Sequence, residues 1–172
     1  MSGYIKRKGQ ETTLLKGRRF PCKLRGYRVK KSVALIGVGG NIGDSLRRFE
    51  KLFHFLKREP RLKLLATSTL LKNPPFGYLD QEDFYNTLVL VETSLTPIKL
   101  LKLLQRIESH FGRKRLFKNA PRTLDLDIIA FNKQRVTKGS TLIVPHPRYQ
   151  ERQSILVPLK SLKGVKWLKR VL

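Results

Sequence analysis

Acidic side chains are scarce in this sequence: 12 Asp and Glu stand against 37 Lys and Arg in 172 residues, a formal net charge of +25. Cysteine is almost absent. Cys22 alone excludes an internal disulfide framework and any cysteine-based metal cluster, and it reads as a single reduced thiol. No apolar run approaches the roughly 18 to 20 residues that a membrane-spanning helix needs, and residues 1–8 lack the apolar stretch of a secretory signal. The expected location is therefore the cytoplasm, with no membrane partner. The G-x-x-x-x-G-K-[ST] phosphate loop is missing, and so is a true G-x-G-x-x-G fingerprint: in Gly37-Val38-Gly39-Gly40-Asn41-Ile42-Gly43 the third glycine would fall on Ile42. Internal repeats and low-complexity tracts are also lacking.

What is present suffices for a folded core. Hydrophobic residues make up 40% of the chain and aromatics 9%, which argues against global disorder. The length fits one domain with some residues to spare. The charge is spread unevenly. Residues 1–31 hold eleven Lys and Arg against Glu11 and show little patterning, so they are expected to form a basic N-terminal extension, solvated or partly disordered. Residues 32–172 are expected to form a single domain, which keeps a net charge of +15 of its own.

Val33, Ala34, Leu35, Ile36, Gly37 and Val38 form a short aliphatic run closed by glycines, the pattern of a buried strand. Asp44 is placed to cap a helix in which Leu46, Phe49, Leu52, Phe53 and Leu56 recur at helical spacing, with Pro60 just beyond it. A second strand is expected over 63–72, closed by the turn residues Pro74, Pro75 and Gly77, and a third over 84–93. Thr96 and Pro97 start a second helix with the stripe Leu100, Leu101, Leu104, Ile107 and Phe111, and Gly112 ends it. A cationic, irregular segment over 113–122 precedes a fourth strand over 124–131. Beyond Val144, three prolines predict a loop and short helical pieces. The order β-α-β-β-α-β is the ferredoxin-like one: an α+β fold with a mainly antiparallel sheet and helices packed on it.

The chemistry gathers at the fourth strand. Asp125 and Asp127 stand two apart and so point to one face, where two like charges repel unless a cation lies between them. Mg²⁺ held by one or two carboxylates and by phosphate oxygens suits such a pair; the plainer alternative is a strand face with two solvated acids. Arg122, Arg113 and Arg115 in the preceding loop add weight to a polyphosphate ligand, because arginine grips phosphate oxygens bidentately, although each alone is equally a solvated surface group. Phe84 and Asn86, also two apart, present an aromatic face and an amide together, suited to a flat heterocycle; an ordinary strand with one core Phe has the same spacing. His146, between Pro145 and Pro147, is by spacing either a site residue or a surface histidine.

Together these segments resemble the 6-hydroxymethyl-7,8-dihydropterin pyrophosphokinase family of folate biosynthesis. The most specific match is Pro121-Arg122-Thr123-Leu124-Asp125-Leu126-Asp127-Ile128. Gly40-Asn41-Ile42-Gly43-Asp44, Asn73-Pro74-Pro75-Phe76-Gly77, Asp80-Gln81-Glu82-Asp83-Phe84-Tyr85-Asn86, Gln105-Arg106-Ile107-Glu108 and Val144-Pro145-His146-Pro147-Arg148 occur in the family's order. The resemblance covers about 32–162 and leaves 1–31 without a counterpart. It implies a transferase that moves pyrophosphate from ATP to the hydroxymethyl group of the dihydropterin and releases AMP; a monomer is expected. By position it implies Asp125 and Asp127 as ligands of two Mg²⁺ ions, and Arg113 and Arg122 as catalytic contacts to the phosphates. Arg115 and Arg152 would assist them, with Gln105, Glu108, Ile128 and His146 on the ATP side. Phe84, Asn86, Asn73, Pro74, Pro75 and Asp125 would hold the pterin. Three departures stand out. Gly39-Gly40-Asn41 replaces Gly-Ser-Asn, Asn119-Ala120-Pro121-Arg122 replaces Trp-Gly-Pro-Arg, and Ser154 replaces a second aromatic that stacks on the pterin.

Two rival readings use other features. A nucleic-acid-binding module would use the +25 charge, but Phe and Tyr are not interleaved with the basic run as stacking platforms, and an acidic pair repels phosphate without metal. Nucleic acid is therefore not an expected partner. A non-catalytic pterin binder is suggested by Ser154 alone.

Overall fold

Alternation of two and repeats of three to four residues place most of the elements. The computed structural model describes residues 5, 6, 12–24, 29–75, 77–114, 117 and 119–172. The strands are β1 (Ile5–Lys6), β2 (Thr13–Leu15), β3 (Cys22–Lys23), β4 (Ser32–Gly40), β5 (Leu62–Thr67), β6 (Leu70–Asn73), β7 (Phe84–Thr93), β8 (Asp125–Phe131), β9 (Val136–Lys138) and β10 (Leu142–Val144). The α-helices are α1 (Ser45–Arg58), α2 (Pro97–His110) and α3 (Gln153–Leu159), followed by two single 3₁₀ turns. Among the described residues eight strands join in one sheet, antiparallel at every pairing, with β9 and β10 as a separate hairpin. The central order is β8, β4, β7, then β5 and β6, which is the expected ferredoxin-like arrangement.

Both long helices begin as their caps dictate. The Asp44 carboxylate accepts the Arg47 N–H at 2.9 Å, and the Thr96 hydroxyl accepts that of Lys99 at 3.4 Å. α1 buries Phe49, Leu52, Phe53 and Leu56, each contributing about 1.5–3 kcal/mol. Leu46, expected in the same stripe, is 38% exposed, since it lies at the stripe's edge in the first turn. Both helices pack on one face of the sheet, where Ala34, Ile36 and Val38 of β4 meet Val89 and Val91 of β7 and Leu126 and Ile128 of β8. The other face carries Val33, Leu35, Leu88, Leu90 and Ile129, covered by Ile155, Leu162, Val165 and Val171 of the C-terminal segment.

Two expectations need correction. The second strand is not continuous over 63–72 but breaks at Ser68 and Thr69. The buried Ser68 hydroxyl accepts the Leu88 N–H at 2.7 Å, and one extra residue is accommodated between Thr67↔Val89 and Leu71↔Asn86. Nor do residues 12–24 form a solvated extension. β2 pairs with β6, β3 pairs with β5, and Leu15 and Phe20 are buried in the helix-side core. The physical reason is a free sheet edge with an apolar corner, which these residues cover. Residues 1–4, 7–11 and 25–28 of that predicted extension lie outside the described residues. The β9–β10 hairpin was not foreseen, because its strands of three residues carry too little periodicity to be read.

Candidate active site

On the face turned away from α1 and α2, the inward positions of β4 run Val33, Leu35, Gly37, Gly39. The side chains stop at the glycines, and a cleft opens there. The space above the glycines, open solvent at its mouth included, is about 370 Å³. Register decides what flanks this floor. Gly37 pairs with Asp127 and Gly39 with Asp125 on the β8 side, while Gly39 pairs with Asn86 on the β7 side. Arg152, Ser154 and Ile155 close the cleft from the C-terminal segment. A Cβ on Gly39 would lie 3.0 Å from Asn86 Oδ1, so a side chain there would press on the amide.

Asp125 is clamped from two directions. Arg113 Nη1 lies 2.5 Å from Oδ1, and Arg122 Nη1 lies 2.8 Å from Oδ2. Arg113 also pairs with Glu108, which is 3% exposed and accepts the Leu126 N–H at 2.7 Å. Asp127 is different: among the described residues no ion pair engages it. Burial first, and the charges of Asp125 and Glu108 second, push its carboxyl up to about 6, against the opposing pull of Arg152 and Arg113. A buried carboxylate that resists ionisation beside a second carboxylate is a place where a cation lowers the energy. The donor set is two carboxylates, hard oxygen ligands, and no cluster of three or more His, Cys, Asp and Glu occurs among the described residues. That suits Mg²⁺, which is commonly bound by one or two carboxylates with waters and substrate phosphates completing the shell.

Beyond the floor, Asn86 Nδ2 donates to Asn73 Oδ1 at 2.7 Å, and Asn73 Nδ2 donates to the Pro74 carbonyl at 2.8 Å. Phe84 shares the face of Asn86, with the Arg122 guanidinium 5.6 Å above its ring. The cleft thus has an anionic end bounded by arginines and an amide end bounded by an aromatic ring.

His146 is half-buried near this cleft: its backbone N–H donates to the Ile129 carbonyl at 2.8 Å. Burial first, then the Arg152 charge, lowers its pKa below the ordinary value, which favours the neutral imidazole. Other expected residues fall elsewhere. Glu108 does not line the cleft but stands behind Arg113, because its carboxylate is consumed by that arginine and by the Leu126 N–H. The Ile128 side chain lies on the opposite face, in the helix-side core, as alternation from Asp127 requires. Gln105 is exposed on α2, on the helix side of the sheet. Pro74 is exposed and Pro75 half-buried just after β6. Arg115 and Phe76 lie outside the described residues.

Sequence reasoning also missed a residue. Asn41, 4% exposed, ties three loops together: its Oδ1 accepts the Arg122 N–H at 2.9 Å, and its Nδ2 donates to Gln81 Oε1 and to the Glu82 carbonyl, both at 2.9 Å. Gly40 permits this closeness, since a Cβ there would meet the Thr123 carbonyl oxygen at 2.5 Å. The asparagine was visible in its motif, but its partners are 40 to 81 residues away.

Residues 35–164 match the family model described as 7,8-dihydro-6-hydroxymethylpterin-pyrophosphokinase. Three similar proteins carry the name 2-amino-4-hydroxy-6-hydroxymethyldihydropteridine pyrophosphokinase. That of Campylobacter jejuni is 44% identical over 144 residues, 84% of this chain and 91% of its own. That of Helicobacter pylori is 39% identical over 148 residues, 85% and 90% of the two chains. That of Bacillus subtilis is 39% identical over 131 residues, 76% and 78%.

Proposed function

Since the chain belongs to the 7,8-dihydro-6-hydroxymethylpterin-pyrophosphokinase family, we propose that its cleft carries out that family's reaction with the residues described above. It is a transferase of folate biosynthesis that moves a pyrophosphoryl group from ATP to the hydroxymethyl group of 6-hydroxymethyl-7,8-dihydropterin. The observation that carries the assignment of roles is the register of β4: Gly37 and Gly39 open a floor with Asp125 and Asp127 on one side and Asn86 on the other.

In this reading the pterin lies at the amide end, stacked on Phe84 and hydrogen-bonded by Asn86, which Asn73 orients. Ser154 forms part of the opposite wall, where it offers a hydroxyl and little stacking area. ATP lies toward Asp125, Asp127, Arg113, Arg122 and Arg152, with neutral His146 at its margin. Asp125 and Asp127 would hold Mg²⁺, two ions in our reading, which when bound supplies charge neutralisation to the phosphates. The pterin hydroxymethyl oxygen attacks the β-phosphorus and AMP departs. The protein's part is to align that oxygen with the phosphorus and to place cationic groups around the transferred oxygens. Glu108 acts at one remove, fixing Arg113. We place the reaction in the cytoplasm, where ATP is available, and in a monomer. In this reading the folded unit reaches N-terminal of residue 32 and takes in β2 and β3.

The test is product identity. Protein given ATP, Mg²⁺ and the hydroxymethyl dihydropterin is expected to release AMP in step with pterin consumption; release of ADP, or AMP without pterin, overturns the reading.

A further inference from the structure

Residues 12–24 lie outside the segment that matches the family model, yet they are built into the sheet beside the amide end of the cleft. β6 is four residues long, is separated from β5 by the break at Ser68 and Thr69, and runs into Pro74 and Pro75. A strand so short, left at a sheet edge, frays. It does not stand at the edge here. β2 pairs along it, with Leu15↔Leu70, Leu14↔Leu71 and Thr13↔Lys72, and β3 pairs with β5 through Cys22↔Thr67 and Lys23↔Ala66. One segment therefore grips both halves of the broken strand.

The corner between β2 and β3 is pinned firmly. Phe20 is 2% exposed and lies 6.4 Å from the Phe49 ring and 6.3 Å from that of Phe53. The Thr67 hydroxyl donates to the Arg19 carbonyl at 2.5 Å and accepts the Cys22 N–H at 2.9 Å. Glu50 accepts the Arg19 N–H at 3.2 Å. At the other end of the chain of contacts, Asn73 closes β6 and accepts from Asn86 at 2.7 Å.

We propose that residues 12–24 are a positioning strap for the pterin end of the site: by holding β6 in register they keep Asn73 where it orients Asn86. The strap touches neither substrate nor metal, and it leaves the phosphate end, held by Arg113, Arg122 and Glu108, unaffected. The proposal rests on the assignment of Asn86 and Asn73 to the pterin.

The experiment uses the full chain with Phe20→Ala, Thr67→Val and Phe20→Leu, and reads amide hydrogen exchange and steady-state kinetics. Phe20→Ala is expected to speed exchange across residues 70–73 about tenfold. It should raise KM for the dihydropterin about fivefold while KM for ATP and kcat stay within about twofold, and Phe20→Leu should restore most of the loss. Should Phe20→Ala fail to fold, Thr67→Val, which loses two anchoring hydrogen bonds and creates no large cavity, carries the same expectation. Unchanged exchange over 70–73, or faster exchange with an unchanged pterin KM, overturns the strap. Equal losses in pterin KM, ATP KM and kcat overturn it too, since they signify general destabilisation. Asn73→Ala separates the two levels: an unchanged pterin KM in that variant refutes the pterin assignment itself, whatever the strap variants do.

Discussion

Replacing Asp127 by Asn removes a charge that the fold itself resists. Burial, then Asp125 and Glu108, raise the Asp127 carboxyl from an ordinary 3.8 to about 6. The native state therefore binds this proton more tightly than the unfolded chain does, and between roughly pH 4 and 6 the group's effect on stability worsens as pH rises. Above pH 6 the full penalty applies, about 2–3 kcal/mol at about 1.4 kcal/mol for each pH unit separating the two values. Asparagine is neutral throughout and nearly isosteric. Metal-free Asp127→Asn is therefore expected to melt about 4–12 °C higher than the parent at pH 7.5, given about 2–4 °C per kcal/mol for a chain of this size. The advantage should shrink to a small remnant near pH 4, where the parent's carboxyl is protonated in the native state and close to half-protonated in the unfolded chain. Differential scanning calorimetry in a chelator, at both pH values, checks this. Adding Mg²⁺ with a non-hydrolysable ATP analogue should reverse the order at pH 7.5, stabilising the parent and leaving the variant largely unmoved. A variant no more stable than the parent at pH 7.5, or equally favoured at pH 4, refutes the reasoning that burial and like charge dominate at Asp127. Pyrophosphoryl transfer should be lost in either case, the exchange of stability for function expected where a site stores unfavourable charge.

Other outcomes follow from the same structure. Glu108→Ala strips the buried partner from Arg113 and the acceptor from the Leu126 N–H, so chemical denaturation should show a loss of about 3 kcal/mol. Glu92 is 5% exposed; burial alone would raise its carboxyl, but the N–H groups of Lys31 and Lys30, each at 2.7 Å, and the charge of Lys63 hold it below the ordinary value. Its contribution is therefore present above the ordinary carboxyl range and disappears as pH falls through its own lower value. Glu92→Gln should accordingly be less stable than the parent at pH 7 and converge with it toward pH 3, and parallel curves would contradict this. Gly40→Ala drives a methyl group into the Thr123 carbonyl, so a melting point lowered by the equivalent of about 1–3 kcal/mol and a reduced kcat are expected. Asp125→Ala should abolish transfer, checked by AMP release, and should also free Arg113 and Arg122 from their clamp.

The correspondence between sequence and structure follows the range of the forces involved. The caps at Asp44 and Thr96, the helical stripes, and the same-face pairs Asp125/Asp127 and Phe84/Asn86 all arise from neighbours within four residues, and each was legible. The break in the second strand was not, because it depends on the Ser68 hydroxyl meeting Leu88 across the sheet. The basic composition of residues 1–31 suggested solvent exposure; the burial of Leu15 and Phe20 came from an open edge that only the assembled sheet presents. Glu108 illustrates the same limit within the site: its position in the motif was evident, but the direction in which its side chain is spent was decided by Arg113 and the Leu126 N–H. Ile128 is the opposite case, since local alternation from Asp127 already turns it to the other face.

By itself, then, the sequence determined the order of elements, the face shared by the two carboxylates and the chemical character of a site that handles a polyphosphate and a flat heterocycle. Those properties depend on backbone periodicity and side-chain chemistry, which act locally. The tertiary structure alone decided that glycines 37 and 39 lie between the carboxylates and Asn86, that Asn41 draws three loops together, and that residues 12–24 brace β6. Each of these depends on register between segments far apart in the chain, set by which apolar faces and strand edges have to be covered together.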